Sequence, residues 1–131
     1  MKPYAPIPER AENAARIVVD AAYQVHSELG PGLLESVYEV CLCHEIRKQG
    51  VQFMNQVSVP VVYDGIRLDA ALRLDVLVDN CLVVELKAVE AMIPLYTAQL
   101  LTYLKLTGHR LGLLINFNVP VIKEGIRRVV L

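Results

Sequence analysis

The chain has 131 residues, 54% of them hydrophobic, which is enough for one sizeable core and too short for two ordinary domains. Thirteen Lys and Arg against fourteen Asp and Glu leave a formal charge of -1, which excludes a wholesale basic surface and makes any phosphate-binding site local. No apolar run approaches the roughly 18 residues of a spanning helix, and the start, MKPYAPIPER, lacks the apolar stretch of a secretory signal, so one soluble, cytoplasmic domain over residues 1–131 is expected.

From Glu12 to Leu29 the residues Ala15, Val18, Ala22, Val25 and Leu29 recur at helical spacing, with Asp20, Gln24 and Glu28 opposite. Gly30-Pro31-Gly32 stops this helix, and a second runs from about Leu34 to Gln49 with Val37, Cys41 and the row Tyr38, Leu42, Ile46 inward. After Gly50 the period shortens to two. Turn chemistry at Asp64-Gly65 and Asp79-Asn80 divides the next stretch into a three-stranded meander, and Pro60 places its first strand at an edge or at a bulge. PLYTAQLLTYLKLTG returns to helical spacing, through Leu95, Ala98 and Leu101 and the pair Leu100, Leu104. RLGLLINF reads as a buried strand, and the tail VPVIKEGIRRVVL has no firm assignment. The order ααβββαβ defines an α/β (α+β) chain, a mixed central sheet flanked by helices, without a Gly-rich phosphate loop. Cys41, Cys43 and Cys81 have no metal-knuckle spacing and suit a reducing compartment as small buried hydrophobes, and His26, His44 and His109 have no ligand spacing either. The apolar excess is met by a large core or by a face buried in a homodimer.

Charged residues interrupt the apolar run LRLDVLVDNCLVVELKA at Asp75, Glu85 and Lys87. A two-residue loop at Asp79-Asn80 mixes charge into both faces of the hairpin. A three-residue loop, Asp79 to Cys81, instead pairs Leu74 with Leu86, Val76 with Val84 and Val78 with Leu82 on one apolar face, and aligns Asp75 with Glu85 and Arg73 with Lys87 on the other. The two carboxylates then stand about 5 Å apart at Cβ and repel by about 3 kcal/mol at an effective dielectric near 20. Lys87 offsets part of this, and a divalent cation on Asp75, Glu85 and the Leu86 carbonyl would offset the rest. Spacing alone is also met by the solvated side of an ordinary antiparallel pair.

GLLESVY, RLDVLV, VVELKAVE, AQLLTYLKLTG and GLLINFNVP together resemble the GxxExxY family, with Gly32, Glu35 and Tyr38 as its naming residues, a family grouped with the PD-(D/E)XK nucleases. The resemblance covers nearly all of the chain after the first ten residues. It implies a restriction-endonuclease-like core and Mg²⁺ (or Mn²⁺)-dependent hydrolysis of phosphodiester bonds in DNA or RNA. It further implies Glu35, Asp75 and Glu85 as metal ligands, and Asp75, Glu85, Lys87 and Gln99 as catalytic residues. Glu35 also suits the first turn of its helix on macrodipole grounds, by about 0.3–1 kcal/mol, and Tyr38 suits the core. Gln99, an amide among apolar neighbours, needs a partner that Tyr103 or the site supplies. The segment DAALRLD departs from the family, which commonly has Gly and an aromatic before the Arg; the acids are intact. Lys105, His109, Arg110, Lys123, Arg127 and Arg128 are local basic groups suited to a phosphate backbone or simply to solubility. Two other function classes fit the same residues: a non-catalytic nuclease-fold scaffold acting through a dimer or partner interface, and a hydrolase of a smaller phosphorylated substrate.

Overall fold

A computed structural model describes residues 5–131. Two helices come first, α1 (Glu9–Leu29) and α2 (Glu35–Lys48), then the meander β1 (Phe53–Tyr63), β2 (Ile66–Val78) and β3 (Leu82–Lys87). The chain closes with α3 (Pro94–Thr107), β4 (Leu111–Asn116), a 3-10 turn (Ile122–Gly125) and β5 (Ile126–Val130), so the unassigned tail is the turn and a strand. The five strands lie in sequence order in one sheet. β3 and β4 are parallel, with α3 as their crossover, and the other neighbours are antiparallel. The expected α+β architecture, a mixed sheet flanked by helices and consistent with a restriction-endonuclease-like fold, is therefore present.

Helices cover both faces of the central pair, which is why β3 and β4 read as unbroken apolar runs rather than as alternation. α1 and α2 bury Val18, Ala22, Tyr38, Leu42 and Ile46 against Val76, Val84, Leu86 and Ile115. On the opposite face, Leu100 and Leu104 of α3 meet Leu74, Leu77, Val83 and Leu114. The row Leu95, Ala98, Leu101 is not the buried one: Leu95 is 66% exposed, Ala98 is exposed and Leu101 half-buried. α3 is apolar all round, so its period cannot choose a face; Gly112 of β4 chooses it by leaving room for Leu100, whose side chain lies 3.0 Å from where a Cβ would stand.

Pro60 accords with its position on both counts, since β1 is an edge strand and its register on β2 shifts between Val59 and Val61. The β2–β3 loop has three residues as expected, with pairs Val76–Val84 and Val78–Leu82 flanking Asp79 to Cys81. Arg10 of α1 holds Asp79 there through two bonds of 2.8 Å.

Tyr38 is fully buried and stacks on Phe117 with ring centroids 4.6 Å apart. Its hydroxyl donates to the Gly30 carbonyl at 2.6 Å and accepts from the Leu33 N–H at 3.1 Å, which fastens the Gly30–Gly32 loop to the core. Gly32 has φ +101°, a state that a side chain disfavours. Together these residues fix where α2 begins, and α2 begins with Glu35. Tyr38→Phe is expected to lower stability by about 1–2 kcal/mol, read as a lower urea midpoint at unchanged m-value.

Candidate active site

The site forms where β2 leaves β3. Pairing of the two strands stops at Val76–Val84, and the expected pairs Leu74–Leu86 and Arg73–Lys87 do not form. The reason is a change of face. Val76 and Val78 point to the α1/α2 core, whereas Leu72 and Leu74 point to α3, so the alternation breaks at Asp75. β1 breaks with it: Phe53 packs on the α1/α2 side and Val57 and Val59 on the α3 side. The residue between the pairs Asn55–Val76 and Val57–Leu74 is Gln56, at φ +53°.

At the break, side chains replace the ladder. Asp75 Oδ2 accepts from the Leu86 N–H at 2.9 Å, and Glu85 Oε1 accepts from the Asp75 N–H at 3.2 Å. These bonds bring Asp75 and Glu85 together across the split and satisfy two main-chain donors that the parting strands would orphan. Glu85 is only 6% exposed. Its carboxyl is pushed up to about 8, by burial first and then by the charge of Asp75.

Glu35 is near enough for its carboxyl to be raised by burial first and by Asp75 next, while Lys87 acts the other way. Glu35 is nevertheless exposed, and among the described residues no three His, Cys, Asp or Glu side chains are gathered closely enough to hold a metal ion. The structure thus brings Asp75 and Glu85 together and leaves Glu35 at the margin. The two suit a hard divalent cation: Asp75 Oδ2 and Glu85 Oε1 accept main-chain bonds, and the two carboxyl groups also meet side chain to side chain, where a shared cation would replace the shared proton.

The ammonium of Lys87 lies over the Tyr96 ring, 4.6 Å from its centroid, and lowers the carboxyl of Glu85. Gln99 meets the site through Tyr103, rather than by a hydrogen bond to either acid. The Tyr103 hydroxyl is raised by burial, then by Glu85 and Asp75, and lowered by its contact with Gln99.

Asn116 is a functional support that sequence reasoning missed. Only 1% exposed, it donates to the Val89 carbonyl at 3.0 Å and accepts from the Val89 N–H at 3.1 Å. It thereby fixes the chain two residues beyond Lys87. A lone amide in the apolar run LLINF was the available signal. The remaining candidates are largely structural. His26 Nε2 lies 2.8 Å from the Val119 carbonyl, and the Cys43 thiol, pushed up to about 11 by burial, stays neutral. Arg128 pairs with Glu12 at 2.6 Å, and Arg110 bonds the carbonyls of Leu131 and Ala5. A cavity of about 680 Å³ opens beside the β2–β3 turn, among Arg10, Phe53 and Asp79, and excludes both acids.

A strand split that joins Asp and Glu-x-Lys, in a mixed sheet between helices, defines a nuclease-type core. Residues 12–129 match the PD-(D/E)XK nuclease superfamily, and the chain belongs to it. No curated protein and no solved structure matches the chain. Among the described residues no helix is long and apolar enough to cross a membrane.

Proposed function

We propose that the protein is a metal-dependent nuclease of the cytoplasm that hydrolyses phosphodiester bonds in DNA or RNA, and that it stands in the GxxExxY branch of its superfamily. The observation that carries this reading is the pair of side-chain-to-main-chain bonds, Asp75 Oδ2 to Leu86 N–H and Glu85 Oε1 to Asp75 N–H, that draws the two acids together at the split, with the charge of Lys87 acting on Glu85. Two buried-side carboxylates held this close favour a dication over any neutral occupant.

Asp75 and Glu85 would hold Mg²⁺ or Mn²⁺, with Glu35 as a third ligand after a side-chain rotation at the start of α2. The ion supplies Lewis-acid polarisation of a phosphate oxygen and makes a nearby water a better nucleophile. Lys87, steadied by Tyr96, orients that water and neutralises charge that builds on the phosphate. Gln99 and Tyr103 line the α3 side and give hydrogen bonds to substrate or water. Gly32 and Tyr38, the other naming residues, set the position of Glu35.

A cleavage screen over single-stranded DNA, duplex DNA and RNA with Mg²⁺ and Mn²⁺ tests this. Cleavage is expected, and Lys87→Ala or Glu85→Ala is expected to reduce it by at least about a hundredfold. Equal cleavage by Glu85→Ala would assign the activity to a contaminant.

A second reading, a non-catalytic scaffold or homodimer, draws on the arm where β1 and β2 pair only with each other. Val62, Tyr63, Ile66 and Leu68 are 64%, 72%, 59% and 49% exposed there. That reading prevails if the protein binds no divalent ion and cuts none of the three substrates.

A further inference from the structure

The break in β1 is held by Gln56, and its backbone state at φ +53° is costly for a residue with a side chain. That state aims the amide across the gap between α2 and β2. Gln56 Nε2 donates to Glu39 Oε1 at 2.7 Å, and Gln56 Oε1 accepts from the Arg73 guanidinium at 3.4 Å. Glu39 follows Glu35 by one turn of α2, close enough for its charge to raise the Glu35 carboxyl. Arg73 precedes Asp75 by two residues on β2. A relay from α2 through β1 to β2 therefore orients one guanidinium on the strand that carries Asp75, two residues before it.

Four of the seven other arginines are committed within the fold: Arg10 to Asp79, Arg67 to Asp69, Arg128 to Glu12 and Arg110 to main-chain carbonyls. Arg73 takes part in no ion pair among the described residues. The Gln56 amide lies between it and Glu39, so the guanidinium is oriented without being neutralised. A held, exposed, unneutralised planar fork suits an anion with two oxygens to present, and a backbone phosphodiester is such an anion.

We propose that Arg73 anchors a nucleic-acid phosphate next to the bond placed at Asp75 and Glu85, and that Gln56 is its positioning residue. This rests on the nuclease reading. The strained backbone at Gln56 then serves two ends: the residue that lets β1 change faces also sets the direction of the substrate's backbone across the split.

The test is fluorescence anisotropy of a fluorescein-labelled oligonucleotide, offered as single-stranded DNA, duplex DNA and RNA, with the full chain carrying Lys87→Ala to prevent cleavage. In each form that binds, adding Arg73→Gln is expected to weaken affinity about tenfold or more and to make the slope of log K against log salt shallower by about 0.7–0.9. Adding Gln56→Gly, which suits the same backbone state, is expected to weaken affinity while leaving that slope unchanged, because the charge remains. Parent affinity and slope in the Arg73→Gln protein would overturn the anchor and leave the nuclease reading standing. Parent affinity in the Gln56→Gly protein would overturn the positioning role. Failure of the Lys87→Ala protein itself to bind any of the three forms at low salt would overturn the nuclease reading and the anchor together.

Discussion

Gly125→Ala is expected to destabilise the protein by about 3 kcal/mol or more, at the upper end of what overpacking costs. A Cβ at this position would overlap the carbonyl oxygen of Asn116 and meet Val119 Cγ2 at 3.0 Å. Main chain cannot step aside as a flexible side-chain tip can. The affected segment is also the one that supports the site: the Asn116 side chain holds Val89, and Phe117 donates its N–H to the Lys87 carbonyl at 3.0 Å. Urea unfolding measures the loss. Any structure that persists in the variant should have weaker hydrogen-exchange protection at Val89, because displacement of Asn116 loosens that bond first.

The second large effect is a dependence on pH. Glu85 ionises near 8 in the folded chain, against an ordinary value of 4.5, because of burial first and Asp75 second. Below the ordinary value both folded and unfolded chains carry the proton, and Glu85 contributes no penalty. Between the two values the unfolded chain has released the proton and the folded chain keeps it. The folded state then binds more protons, so stability falls as pH rises, with a limiting slope of about 1.4 kcal/mol per pH unit from this group. Above about 8 both states are ionised and the penalty is constant. Without divalent ions, the thermal midpoint is therefore expected to fall between about pH 5 and pH 8. Glu85→Gln should flatten that fall and make the metal-free protein more stable than the parent at the top of the window. Its amide oxygen can still accept from Asp75 N–H, and its nitrogen can donate to the Asp75 carboxylate as the protonated acid does.

The β2–β3 register was legible because burial decides it: only a three-residue loop sets Val76 and Val78 against Val84 and Leu82. The change of face at Asp75 was not. Leu72, Leu74, Val76 and Val78 are all apolar, and a pattern of apolar residues cannot say which of two cores each one joins. Gln56 carries the signal in its backbone angle, which no residue type announces. The inner row of α3 was hidden for a related reason, since Leu95, Leu100, Leu101 and Leu104 offer more than one apolar stripe and a glycine on the following strand selects among them. Asp75, Glu85 and Lys87 stood out as charges in an apolar run. Glu35 had no such contrast, and its nearness to them came only from the family resemblance. The tail strand β5 was illegible because Arg127 and Arg128 interrupt it at an edge where one side of the strand is open.

Calorimetric titration of Mn²⁺ near pH 7, in two buffers of different ionisation enthalpy, tests the pairing of Asp75 and Glu85 as a cation site most directly. The expected result is saturable binding that releases close to one proton per ion, with the proton release lost in Glu85→Gln and the binding weakened in Asp75→Asn. No saturable binding, or binding that both variants retain with the same proton count as the parent, would contradict it.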